Sequence, residues 1–359
     1  MRWAFRLLAG VAALMAVLAL LAYGPGSMDA RRFDPTPPAP RLEALFTDPA
    51  EPELREGPLH GAEDLEPGPD GRLHASLGDG RVMARSPGGD WEEVAHTGGR
   101  PLGLAFDPEG RLVVADALRG LIRLEPDGDW TTIAEPGAYP DLVFTDDLTV
   151  LADGTIILSD ASGRYGYGEY LESFWEGEQT GRVFAFRPGG GREVLMDGLA
   201  FANGVTHDPQ SGEVFIAETW AARVLAVDPA TAEKRIVIDG LPGYPDNLHW
   251  DDEERLLWIA MPSLRSGQLE FFHPRPFLKR LLRRFTDVFG EPDLPDRPVM
   301  ALAVDRRGEP VRALLGPADG AYGATTAVPW EGRLWIGGLE RETIDAYAIP
   351  ERLESASVR

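Results

Sequence analysis

The sequence predicts an all-β protein, a six-bladed β-propeller, that carries an N-terminal transmembrane helix. Three observations lead there. An apolar run follows two arginines at the N-terminus. Helical periodicity is scarce after residue 40, and one short strand–turn–strand string recurs six times.

The N-terminal element comes first. Leu7 to Tyr23 is an unbroken run of apolar and small residues, preceded by Arg2 and Arg6. As a helix it would reach about 25 Å at roughly 1.5 Å per residue, slightly short of a hydrocarbon core of about 30 Å. Trp3 to Phe5 would make up the difference, with Arg6 snorkelling to the headgroups. The arginines are expected to stay in the cytoplasm and the rest to be exported. The expectation is a membrane-anchored protein with its propeller outside the cytoplasm, in a bacterial periplasm. A cleaved signal peptide is the alternative reading, but no clean small-x-small site precedes Gly24. Residues 1–23 are therefore read as an anchor or uncleaved signal, and the Pro/Gly-rich residues 24–42 as a semi-rigid linker.

From 43 to 350 the chain reads as short alternating runs separated by Gly, Pro and Asp, an all-β signature. The repeat appears as PDGRLHASL at Pro69, PEGRLVVAD at Pro108, ADGTIILSD at Ala152, QSGEVFIAE at Gln210, DEERLLWIA at Asp252 and WEGRLWIGG at Trp330. Glu254 replaces the glycine in the fifth copy. Four-stranded units at such periods are how propeller blades look in sequence, and radial closure leaves few exposed edges. An open β-sandwich accommodates six copies poorly. Residues 351–359 form a tail.

Composition narrows the function. The net charge is −23, which would repel phosphates and excludes a nucleic-acid partner. An acidic body suits one that holds cations. The absence of cysteine rules out disulfides, thiolate nucleophiles and thiolate-bound metals. No G-x-S-x-G elbow supports a serine nucleophile.

Counting back seven to nine residues from each repeat glycine, or its replacement, reaches the same place in each blade. The strings there are GAEDL, RPLGL, FTDDL, FANGV, YPDNL and ATTAV, and the residues are Glu63, Leu102, Asp146, Asn203, Asp246 and Thr325. Equivalent positions at the start of the innermost strands of a propeller ring its central channel. Singly, each Asp or Asn is an ordinary turn or cap. Jointly, acids around a narrow channel repel each other unless a cation lies between them. Oxygen-only ligands suit Ca²⁺ or another hard divalent cation, and the lack of His or Cys at this register disfavours zinc. Asn247 and Asp147, beside two ring members, could add an oxygen or brace the ligands.

The strings GRPLGLAFDPEGRLVVADALRGLIRL, FTDDLTVLADGTIILSDASGRY, GLAFANGVTHDP, AETWAARVLAV and LPGYPDN carry a resemblance. From about Glu43 to Ile349 the chain resembles the strictosidine synthase-like propellers, most closely the adipocyte plasma membrane-associated protein type. It is more distantly similar to the regucalcin/gluconolactonase and paraoxonase propellers. The resemblance implies a catalytic Ca²⁺ in the channel and hydrolysis of lactones or aryl esters. It implies Glu63, Asn203, Asp246 and Asn247 as metal ligands. Asp146, a fifth expected metal ligand, stands where the resemblance implies Asn, which adds a negative charge. The glutamate that the plant synthases place before the last blade has no counterpart in YGATTAVPWEGRLWIG, so strictosidine synthesis is improbable.

The expected activity is a metal-dependent hydrolase of lactones or aryl esters. Its bound ion polarises the substrate carbonyl, and Asp246 is the expected general base on a water, as the resemblance implies. A partly detached Asp246, or Asp147, would be the stronger base. Thr325 and Thr326 are expected to hydrogen-bond substrate. His207 and His249 lie near ring motifs, but neither is named as catalytic. The alternative from another class is a non-catalytic propeller that binds a ligand or protein and holds a structural ion. Two insertions shape access. SGRYGYGEYLESFWEGEQTGR is aromatic among acids, and could line the channel mouth or be a packed loop. The segment 276–285 has apolar residues at helical spacing with Lys279, Arg280, Arg283 and Arg284 around them. This basic helix either lies on an anionic membrane surface or caps the propeller.

Overall fold

A computed structural model of the chain describes residues 2–136, 139, 141–290, 297–318 and 323–354. Of residues 2, 4, 5, 7–9, 268 and 269 it describes the backbone alone. Part of the expected tail, 355–359, lies outside the described residues.

Each repeat string folds into the turn that joins the first and second strands of one blade. Six antiparallel sheets of four strands result, which is the six-bladed propeller. The inner strands are Leu65–Pro67, Pro101–Phe106, Thr145–Val150, Ala202–His207, Leu248–Asp251 and Thr326–Trp330. The repeat glycine is required by the turn. Gly71, Gly110, Gly154, Gly212 and Gly332 all have φ between +71° and +82°, a region that a Cβ disfavours. Where Glu254 replaces it, the next residue, Arg255, takes the left-handed conformation at φ 59°.

The ring is closed by a strand from the far end of the sequence. β1 (Leu54–Glu56) pairs with Ile344–Ala348 in the sixth blade, Leu54 opposite Ala346 and Glu56 opposite Ile344. This covers the outer edge of the last blade with the chain's own N-terminal side. Apolar clusters fill the wedges between consecutive blades. Trp258 and Ala303 of the fifth blade pack with Leu334 and Tyr347 of the sixth. Val183 and Ala185 of the third pack with Val214 and Ile216 of the fourth.

The other insertions and the N-terminus form a second compact unit of residues 2–34, 171–178 and 266–290. Its first helix is Arg2–Tyr23. Among the described residues no helix is long and apolar enough to cross a membrane, so the transmembrane helix read from Leu7–Tyr23 is not supported. That run falls short of the ~20 apolar residues a span needs. The helix expected after Pro276 is present as Pro276–Phe289. Its cations, however, are used within this unit. Arg280 donates to the carbonyls of Met28 (3.1 Å) and Ala30 (3.0 Å) and lies over the Tyr23 ring. Arg284 donates to the Pro25 and Leu21 carbonyls, at 2.6 and 3.3 Å, Arg283 pairs with Glu172, and Lys279 is buried beside His273. The Leu21 carbonyl lies in the last turn of Arg2–Tyr23, where orphan carbonyls attract such cations. This helix leaves Leu278, Phe285, Val288 and Phe289 exposed, with Asp287 the one exposed charge among them.

Candidate metal centre and active site

The register counted from the repeats is the register of the channel. In the second, third and fourth blades the strand pairing slips by one residue between Pro101 and Leu104, Thr145 and Leu148, and Ala202 and Val205. Leu102, Asp146 and Asn203 sit inside these β-bulges, which turn a residue out of the regular alternation. Glu63 directly precedes Leu65–Pro67 by two residues, and Asp246 stands likewise before Leu248–Asp251.

Four oxygens-bearing residues meet through specific bonds. Asn247 donates its Nδ2–H to Glu63 Oε1 at 2.9 Å and to the Glu63 carbonyl at 3.2 Å. Asn203 hydrogen-bonds Asp246. With both amide N–H groups given to the acids, three acceptors remain buried without a hydrogen-bond partner: Glu63 Oε2, Asn203 Oδ1 and Asn247 Oδ1. Such orphaned acceptors are rare in native folds and call for an explanation. Among the described residues no three His, Asp or Glu side chains form a metal-holding group by themselves. The two amides are what complete the oxygen set.

Electrostatics agree with this convergence. Burial pushes Glu63 well above the usual carboxylate range, and the charges of Asp246 and Asp146 push it further. Asp146 is raised by burial, then by Asp246 and Asp160. Asp246 is raised to about 7 by burial, opposed by its bond to Asn203. Glu63, Asp146, Asn203 and Asn247 are buried, whereas Asp246 is half-buried and retains access to solvent.

Arg100 answers part of this charge and was not singled out in the sequence. Its guanidinium opposes the rise at both Glu63 and Asp146. It is buried, donating to the Gly61 and Pro101 carbonyls (3.3 and 3.1 Å) and to the Tyr167 hydroxyl (3.2 Å). The signal was available, because Arg100 stands two residues before Leu102 of the ring.

The neighbouring acids do structural work. Asp147 Oδ1 accepts from Leu148 N (2.8 Å) and Oδ2 from Val205 N of the next blade (2.6 Å). Asp64 repeats the arrangement with Leu65 N (2.8 Å) and Leu104 N (2.9 Å). Each clasps one blade to the next. Asp147, expected as a brace or a base, has both carboxylate oxygens occupied in this way. Thr325 and Thr326, expected to meet substrate, give their hydroxyls to the Glu63 carbonyl (2.7 Å) and to Asp64 Oδ1 (3.3 Å). A cavity of about 540 Å³ along the inner strands is lined by Asp64, Glu66, Asp147, His207 and His249. Burial holds His249 down at about 4 and lowers His207, so both imidazoles stay neutral. His207 Nδ1 lies 2.8 Å from Thr149 Oγ1.

A family model described as strictosidine synthase matches residues 146–241, a stretch that includes Asp146 and Asn203. Protein STRICTOSIDINE SYNTHASE-LIKE 4 of Arabidopsis thaliana is 32% identical over 224 residues, covering 61% of this chain and 60% of its own length. The human adipocyte plasma membrane-associated protein is 30% identical over 236 residues, covering 58% and 56%. The chain is similar to the strictosidine synthase-like proteins over this part of its length. These matches span about 60% or less of the curated relatives' length. Solved structures share the fold. A gluconolactonase of Xanthomonas campestris superposes with a TM-score of 0.54 at 18% identity, covering 91% of this chain and 98% of that one. A luciferin-regenerating enzyme gives 0.54 at 14%, covering 86% and 95%. A chain of a nidogen/laminin complex gives 0.54 at 15%, covering 80% and 95%. At these identities the likeness is one of fold, and the fold serves both enzymes and binding proteins. In this chain function therefore rests on the residues of the channel.

Proposed function

We propose that this chain is a metal-dependent hydrolase of lactones or aryl esters, with Ca²⁺ or another hard divalent cation held in the channel. One observation carries the reading. Glu63 Oε2, Asn203 Oδ1 and Asn247 Oδ1 are buried without partners in a place where acids converge. An all-oxygen set of carboxylates and amides fits a hard cation, so Glu63, Asn203, Asp246 and Asn247 would hold it, with Asp146 adding charge. Bound there, such an ion supplies Lewis-acid polarisation of a carbonyl oxygen.

The chain's own residues supply the rest. Asn247 fixes the Glu63 carboxylate, and Asn203 fixes Asp246, so neither acid has to reorganise when substrate arrives. Asp246 is half-buried and so open to a water, from which it would take a proton as general base. That proton would then pass to the leaving alkoxide or phenoxide.

Membrane anchoring and a place outside the cytoplasm, in a bacterial periplasm, belong to the same proposal. They rest on Arg2, Arg6 and the apolar run that follows. The apolar Phe285, Val288 and Phe289 are the second membrane contact it would use. The non-catalytic alternative, a binding propeller with a structural ion, predicts no turnover. The test is hydrolysis of a panel of aryl esters and lactones by the full chain, with EDTA and with restored Ca²⁺. Activity lost to EDTA and recovered with Ca²⁺ is expected. A metal-loaded protein that cleaves nothing in the panel refutes the hydrolase.

A further inference from the structure

The positions two residues before the ring are Gly61, Arg100, Phe144, Phe201, Tyr244 and Gly323. They form a tier above the ring that is chemically one-sided. Three consecutive blades place an aromatic there, two place glycine and one places Arg100. The glycines stand where backbone crowds in. A Cβ on Gly323 would lie 2.5 Å from the Pro298 carbonyl, and one on Gly61 3.0 Å from the Leu339 carbonyl.

The aromatics are in continuous contact. Phe144 meets Phe201 at 5.6 Å and Tyr167 at 6.1 Å, near-perpendicular in both cases. Phe201 meets Trp220 at 4.8 Å and Tyr170 at 6.4 Å, and Trp220 meets Tyr244 edge-on at 5.8 Å. Phe144, Phe201, Trp220 and Tyr244 are buried, while Tyr167 and Tyr170 are half-buried. Phe201 holds this place at φ 68°, the one aromatic among the non-glycine residues with positive φ in the described chain. Strained backbone of this kind concentrates at ligand clamps. Arg100 bonds the Tyr167 hydroxyl (3.2 Å) and so ties the wall to the acids of the ring.

We infer that this wall selects substrates whose carbonyl carries an aromatic ring, seated edge-to-face against Tyr167 and Tyr170 while the carbonyl points down to the ring of oxygens. An added ring would extend the perpendicular packing already present, which aliphatic groups of equal size cannot do. The inference deepens the hydrolase reading and rests on it for the reaction, though not for the binding.

The test uses two ketones that cannot be hydrolysed, acetophenone and cyclohexyl methyl ketone, titrated calorimetrically into the full chain. Acetophenone is expected to bind about tenfold more tightly. That preference should fall to about twofold or less in Tyr170→Leu and in Phe201→Leu. It should persist in Phe215→Leu, a change at a ring stacked on Trp250 instead. Equal affinities in the wild type, no binding of either ketone, or a preference that survives both wall variants would overturn the inference. Ring-selective binding by a protein that hydrolyses nothing would sink the hydrolase reading and leave the wall standing. An active hydrolase with equal ketone affinities would do the reverse.

Discussion

Asn247 donates its Nδ2–H to Glu63 Oε1 across 184 residues of chain, at 2.9 Å. The bond leaves one oxygen of each side chain buried and unpaired. Removing it should do more than loosen a contact. Asn247→Leu is expected to weaken Ca²⁺ binding at least about 100-fold, on the scale of lost ligands and their partners. Calorimetric titration of the metal-free protein checks this, and unchanged affinity would place the ion elsewhere.

Asp146 gives a graded test of the same centre. Ligand charge tunes the affinity of oxygen sites for Ca²⁺. Asp146→Asn, which keeps the side chain's size and removes its charge, should weaken Ca²⁺ binding by about tenfold without unfolding the propeller. Tighter binding in that variant would mean that Asp146 repels its neighbours more than it attracts the ion.

The metal-free protein should respond to pH in a defined direction. Glu63 and Asp146 are raised well above the usual carboxylate range, Asp64 to about 6 and Asp246 to about 7. The folded state therefore binds protons more tightly than the unfolded one. The stability linked to them is fully present below about pH 4 and is lost as pH rises through about 6 to 7. Thermal melts in EDTA should show Tm falling between pH 5 and pH 8. Added Ca²⁺ should raise Tm more at pH 8 than at pH 5. A Tm in EDTA that climbs over this range would contradict the burial of these acids.

Gly204 and Gly191 separate steric need from simple flexibility. A Cβ on Gly204 would sit 2.4 Å from the Asp246 carbonyl and 2.6 Å from Asn247 Cα, whereas Gly191 has nothing within 4 Å. Gly204→Ala should cost about 2–4 kcal/mol in urea unfolding, as overpacking against backbone does. Gly191→Ala should stay within about 0.5 kcal/mol of the wild type.

The blade clasp makes a further case. Asp147 satisfies two buried N–H groups, one of them on the next blade. Asp147→Ala should lower unfolding stability by about 2–4 kcal/mol, since both donors lose a charged acceptor. A loss under about 0.5 kcal/mol would show that water replaces the carboxylate readily.

The strings GAEDL, FTDDL, FANGV and YPDNL placed Glu63, Asp146, Asn203 and Asp246 at one register, and the structure brings them to one channel. The repeat made this legible because identical blades put identical offsets at identical radii. What each oxygen is bonded to was not legible. Asp147 reads in sequence as a further oxygen or a brace. Only the next blade, whose Val205 amide approaches past Gly204, shows that its carboxylate is already occupied. Arg100 was passed over because its neighbours across the ring come from the first and third blades.

The sequence by itself determined the blade count, the turn chemistry and the positions that ring the channel, because these depend on local periodicity and offsets within a repeat. Tertiary structure alone decided which oxygens stay unpaired and how β1 closes the ring with Ile344–Ala348. It also decided that the cations of Pro276–Phe289 turn toward Met28, Ala30 and Pro25 rather than outward. Those outcomes depend on hydrogen-bond partners in other blades or at the far end of the chain, and such pairings are set by closure of the fold, which no local pattern encodes.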